Sequence, residues 1–207
     1  MDADDRLTAD LARDLDAAFD RVVLDHQDRL YTIALRVLGD PRDAEEAVQD
    51  GLVRAYRALA TYGPTRIREL RLRAWLTTIV LNRCRSIGGR RRAGPGGSPD
   101  AALPLEPVLR ADREPVAPVE RSPAALADRL EERVLWARRL QALPLPYRVA
   151  VVLRHVDGLS YPEAARVLAR PEGTVKAQVH RGLAMLRTMV EAESLAEAGL
   201  ERQEIPA

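Results

Sequence analysis

Cysteine is almost missing from this sequence. Cys84 is the only one in 207 residues, so there is no disulfide framework and no cysteine metal cluster. His26, His155 and His180 are scattered and lack metal-ligand spacing. No apolar run is long enough to span a membrane. The opening residues, MDADDRLTADLARD, are acidic, unlike a signal peptide, so a cytoplasmic protein without membrane insertion is expected. No Ser/His/Asp grouping, metal cluster or nucleotide loop appears, which argues against an enzyme, and no cofactor is expected. Gly94-Pro95-Gly96-Gly97 lacks both the Gly-Lys-Ser/Thr ending and the preceding strand of a phosphate loop. Lysine and asparagine occur once each, as Lys176 and Asn82. That bias reflects coding composition, so arginine count alone is weak evidence for a polyanion partner.

What is present is pattern. A chain of this length that is 46% hydrophobic can bury one large core or two small ones. The net charge of +1 conceals an acidic first 60 residues, a strongly arginine-rich segment 64–93, a near-neutral 94–142, a basic 143–190 and an acidic tail. Two basic segments separated by neutral or acidic ones suit two separate contacts with a polyanion.

The stretch Asp157 to Val190 reads as two helices joined by a tight turn. Ser160 and Glu163 have capping-box spacing, and Pro162 falls in the first turn, where proline costs little. Ala164, Ala165, Val167 and Leu168 lead to a break at Ala169-Arg170-Pro171. A second helix then places Val175, Val179, Leu183, Leu186 and Val190 on one stripe, with Thr174, Lys176, Gln178 and Arg181 on the other face. A short helix, a turn and a longer helix with donors at its N-terminal end is helix-turn-helix form. The same pattern also fits an αα-hairpin that merely packs. The words GLSYPEAARVL and PEGTVKAQVHRGLAMLR resemble the C-terminal DNA-binding region of bacterial sigma factors of the sigma-70 family, especially the extracytoplasmic-function (ECF) group. The resemblance implies that Thr174, Lys176, Ala177, Gln178 and Arg181 read the −35 promoter element.

Upstream, apolar residues recur at helical intervals from about Thr8 to Leu38, with a bend expected at His26-Gln27-Asp28. Gly39-Asp40-Pro41 closes one helix and opens the next. That next helix turns Ala44, Val48, Leu52, Tyr56 and Leu59 inward and Asp43, Glu46, Gln49 and Asp50 outward. Acids in a first turn suit the helix dipole, so a solvated face explains them. DAEEAVQD also resembles the family signature DAED-x-x-QE, which implies that those four residues contact core RNA polymerase at its β′ subunit. Leu52 departs from the family's usual Phe, and Gly51 interrupts the helix at about 1 kcal/mol.

RAWLTTIVLNRCRSI is expected to be a helix ending at Gly88-Gly89, with Trp75 anchoring the core and Cys84 filling space. It resembles the family segment F-R-A-W-L-x-x-I-A-x-N, which implies −10 recognition by Asn82, Arg83, Arg85, Arg90 and Arg91, helped by the Tyr62–Leu72 loop. Asn82 suits either a base edge or a loop cap.

Residues 94–122 are rich in proline and glycine and read as a flexible linker. Ser122-Pro123 starts a helix with Leu126, Leu130, Val134, Ala137 and Leu140 inward. LQALPLPYRVAVVLRHVDGLS resembles the family's L-x-x-L-P-x-x-x-R-x-V-x-x-L connection, with Val149, Val151, Val152 and Leu153 packing under the reading helix. Ala164 stands for the usual Ile, Ala169-Arg170 for Gly-Val in the turn, and Ala177-Gln178 for Ser-Arg. Gln bonds adenine where Arg bonds guanine, so an altered −35 preference is expected. The acidic tail 191–207 is expected to fray.

The expected architecture is all-α, with an N-terminal domain over 8–93, a linker over 94–122 and a helix-turn-helix domain over 123–190. The expected function is promoter-specific initiation with core RNA polymerase, through its β′ and β subunits, on promoter DNA, with an anti-sigma factor as a further partner. The competing reading is a stand-alone helix-turn-helix regulator, which would not need the DAEEAVQD helix.

Overall fold

The computed structural model describes residues 3–93 and 123–201, and every regular element among them is a helix. The segment 94–122 read as a linker lies outside the described residues. The N-terminal domain is built from α1 (Ala3–Arg13), α2 (Leu15–Leu38), α3 (Pro41–Leu59), the short α4 (Pro64–Arg68) and α5 (Leu72–Ala93). The C-terminal domain comprises α6 (Pro123–Ala142), α7 (Leu145–Val151) running into a π-helical turn (Val152–Val156), α8 (Tyr161–Leu168) and α9 (Glu172–Glu201).

Local chemistry sets several boundaries. The bend expected at His26-Gln27-Asp28 is absent. α2 is continuous there with His26 buried, and the chain breaks at Asp14, whose carboxylate accepts from Ala17 N at 3.1 Å as N-cap. Gly39 ends α2 in the left-handed conformation (φ 78°), and Asp40 caps α3 by accepting from Arg42 N and Asp43 N. The Gly88-Gly89 stop is also overturned: α5 runs to Ala93, and neither glycine has positive φ. The Tyr62–Leu72 loop contains α4, whose Ile67 is buried while Tyr62 packs 6.1 Å from Trp75.

Trp75 is fully buried, as are Leu70, Leu72 and Leu76. Tyr56, expected inward, is exposed and donates its hydroxyl to Asp16 at 2.6 Å. Gly51 does not loosen α3. It lets α3 meet α5 closely: a Cβ there would lie 2.8 Å from Val80 Cγ2. In the second domain Leu140 is buried but Val134 is exposed, which narrows the stripe expected for α6. α9 continues through Glu201, and Glu193 pairs with Arg139 at 2.9 Å, so the tail makes a contact where fraying was expected.

The two domains share one buried apolar cluster, joining Leu30, Ile33 and Leu76 to Val152, Leu153 and Leu159. Polar groups stitch the seam. Arg148 donates to Val37 O at the end of α2 (2.7 Å) and to Leu143 O (3.0 Å), while Gln141 Nε2 donates to Arg36 O at 2.8 Å. Those bonds satisfy carbonyls at a helix C-terminus, which have no intrahelical partners. Asp157 sits at the end of the π turn, its N–H bonded to Val152 O at 2.9 Å. Its carboxylate, fully buried, meets Arg29 Nη1 at 2.6 Å and Arg73 Nη2 at 2.9 Å.

Candidate nucleic-acid and polymerase interfaces

The reading unit is assembled from α8 and the start of α9. Ser160 caps α8 through a capping box: Glu163 N donates to Ser160 Oγ at 3.4 Å, and Glu163 Oε2 accepts from Ser160 N at 2.8 Å. Ala164, Val167 and Leu168 are buried. Ala169 ends the helix in left-handed geometry (φ 48°, ψ 48°), so the turn bears the strain that glycine would avoid. Pro171 O then accepts from Thr174 N and Val175 N, starting α9. Val175, Val179 and Leu186 face the core, and Gly182 lets α9 lie against α7, since a Cβ there would approach Val151 Cγ2 to 2.7 Å.

Thr174, Lys176, Ala177 and Arg181 are exposed on the outer side of this helix. Lys176 is tethered by Glu172 at 2.9 Å and stands 5.5 Å from the Tyr161 ring centre. Gln178 departs from expectation: only 8% exposed, it is not on the open face with the other four. It lies three residues after Val175 and four before Gly182, at the edge of the buried stripe.

The second candidate surface lies on α3. Glu46 and Gln49 are exposed, and Asp43 and Asp50 are half-buried. Gln49 Nε2 donates to Glu45 at 3.2 Å. Asp50 accepts from Arg54 at 3.0 Å. Burial pushes the Asp50 carboxyl up, but the Arg54 hydrogen bond and the Arg83 and Arg54 charges outweigh it and hold the group below its usual value.

Arg83 links this surface to the third. It binds Glu46 at 2.9 Å and Asp50 at 2.6 Å, so a residue expected to face DNA is held on α3. Asn82, half-buried, accepts from Arg85 Nη1 at 3.4 Å. Arg90 and Arg91 fall on the last turn of α5, and their side chains lie outside the described residues. Cys84 is buried and its thiol is pushed up to about 12 by that burial, which fits a space-filling role. Sequence reasoning did not single out Arg29, Arg73 or Asp157. Their pairing crosses 128 and 84 positions, and no periodicity signals it.

Comparison with known proteins agrees with these elements. Sigma-70 region 2 matches residues 22–93 and sigma-70 region 4 matches residues 133–186. The RNA polymerase sigma-E factor of Streptomyces avermitilis is 33% identical over 186 residues, covering 90% of this chain and 92% of that protein. The chain belongs to the sigma-70 family. Within it, the ECF sigma factor SigW of Bacillus subtilis is 30% identical over 171 residues, covering 82% of this chain and 87% of its own length. ECF sigma factor SigE of Mycolicibacterium smegmatis is 32% identical over 170 residues, and this chain spans 60% of its length. Among solved structures, CnrH in complex with the cytosolic domain of CnrY has a TM-score of 0.63 at 30% identity, covering 92% of this chain and 99% of that one. The protein is thus an ECF-type sigma factor, with regions 2 and 4 as its two domains. Among the described residues no helix is long and apolar enough to cross a membrane.

Proposed function

We propose that this sigma factor docks on core RNA polymerase through the α3 face bearing Asp43, Glu46, Gln49 and Asp50, and directs it to promoters with two separate readers. α5 addresses the −10 element and the first turns of α9 address the −35 element. The observation that carries this reading is the outer face of α9: Thr174, Lys176, Ala177 and Arg181 stand exposed on a helix that Gly182 and the capping box hold firmly on its own domain. Such a face fits the major groove, with Lys176 and Arg181 also reaching phosphates. The protein supplies specificity and the polymerase supplies the chemistry. CnrH, 30% identical to this chain, was solved bound to the cytosolic domain of CnrY, and a protein partner, as an anti-sigma factor would be, is proposed for this chain too.

Run-off transcription by bacterial core polymerase plus this protein, on templates from its own upstream region, tests the proposal. Defined transcripts that vanish with Glu46→Arg/Gln49→Arg are expected. No transcript, with tight duplex binding by the protein alone, would instead favour a stand-alone regulator.

A further inference from the structure

The helix packed over the −10 loop lies outside the segment that region 2 accounts for. Region 2 matches residues 22–93, and α1 (Ala3–Arg13) precedes it. α1 turns Leu7, Thr8 and Leu11 inward, all of them buried, and packs against α2 and α4. The chain turns at Asp14 in extended geometry (φ −149°), so that α1 folds back along α2. At the other end of α1, Asp4 Oδ1 lies 3.8 Å from Nε2 of buried His26.

α4 needs such a support. Its 5 residues make little more than one turn, too few to hold a helix in water. Gly63 at the N-cap supplies no side-chain acceptor, and Ile67 is the one buried side chain of Pro64–Arg68. Three amides close the turn: Ile67 N donates to Gly63 O at 3.1 Å, Glu69 N to Thr65 O at 3.2 Å and Leu70 N to Ile67 O at 3.1 Å. The turn carries a stack. Arg66 Cζ lies 3.9 Å from the centre of the Tyr62 ring, which in turn lies 6.1 Å from Trp75. Arg66 and Arg68 are exposed, so the seating of Ile67 decides where these cations and Tyr62 stand.

We propose that α1 is a positioning element for −10 recognition: Leu7 and Leu11 seat Ile67, and through it fix the Tyr62–Arg66 stack against which the −10 bases are selected. The base-selection part rests on the sigma-factor reading above; the support of α4 by α1 does not. Leu7 and Leu11 touch no DNA in this scheme. They remove the freedom of a short turn before DNA arrives, which lowers the ordering cost of binding. Without them the turn opens locally, and a stacking group with no fixed position discriminates poorly between bases.

Amide hydrogen exchange on the full chain tests the support directly. In Leu7→Ala/Leu11→Ala the amides of Ile67, Glu69 and Leu70 are expected to exchange about tenfold faster or more, and Leu7→Met/Leu11→Met should restore most of the protection. Val37→Ala, a cavity at the far end of α2, should leave those three amides as they were. Leu11→Ala alone is the milder variant should the pair melt the domain, and circular dichroism on each variant confirms helicity. Base selection is then read with holoenzyme made from core polymerase and the full chain, on its own upstream template with the −10 positions randomised. Leu11→Ala and Ile67→Ala should each cut discrimination among −10 bases by about threefold or more, and the two together no further than Ile67→Ala alone. Val37→Ala should keep the preference. Unchanged exchange in the α1 variants, an unchanged −10 preference, or additive effects of Leu11→Ala and Ile67→Ala would overturn the proposal. Faster exchange in the α1 variants, with no transcripts even from the unaltered protein, sinks the sigma reading alone.

Discussion

The two helices proposed to face DNA use their cations in opposite ways. At the start of α9, Lys176 and Arg181 project from an exposed face, and Lys176 pairs with Glu172, one turn away. In and just before α5, Arg71, Arg73 and Arg83 are held by Glu163, Asp157, and the pair Glu46 and Asp50. Arginine density therefore measures charge and not availability. The segment 64–93 is the most basic in the chain, yet three of its arginines tie helices and domains together. A desolvated guanidinium with a carboxylate partner is part of the scaffold, whereas one in water is free to exchange its counterion for a phosphate.

The contrast can be attacked first through the support of α5. Trp75→Ala should cost about 3–5 kcal/mol of stability, read as a fall in the denaturant midpoint, because a fully buried indole leaves a large void. An intact midpoint would mean that α5 is not held by its core. Next comes a paired test of the cations. Arg83→Gln should cost about 1–2 kcal/mol, since it strips two carboxylates of a half-buried partner. Arg181→Ala should change stability by no more than about 0.5 kcal/mol while lowering the salt dependence of DNA binding. Equal stability effects would erase the distinction. Ala169→Gly should stabilise the protein by about 0.5–1 kcal/mol by relieving the left-handed alanine, and a loss would show that the turn is held by more than backbone preference.

The smallest expected effect is a pH slope. Burial, then the charge of Arg29, lowers the pKa of His26, so the fold prefers the neutral ring while the unfolded chain binds a proton more readily. His26's part of the stability is complete above the unfolded value of about 6.5 and declines as pH falls through it. Melting temperature should drop on acidification below that point, and His26→Gln should flatten the slope.

Much of the architecture was legible because its signals are local. Gly39-Asp40-Pro41 marks a helix end and a helix start through the φ preference of glycine, a side-chain acceptor and a missing N–H. Ser160 and Glu163 mark another start by reach alone, and the four-residue steps of Val175 and Val179 mark a buried stripe. The failures are equally physical. Gly51 reads as a helix weakener until Val80 is seen against it, because the neighbour that requires glycine lies on another helix. Gln178 reads as exposed because a helical wheel places boundary positions by angle, whereas burial depends on what the fold packs over them.

The sequence by itself determined the Gly39-Asp40-Pro41 boundary, the capping box at Ser160, the helix-turn-helix and the separation of charge along the chain. Each depends on residues within a turn or two of one another. Only the tertiary structure decided which charges are available and which are locked. Arg29 and Arg73 meet Asp157 from 128 and 84 residues away, and Coulomb attraction and desolvation act through space, with no period along the chain to announce them.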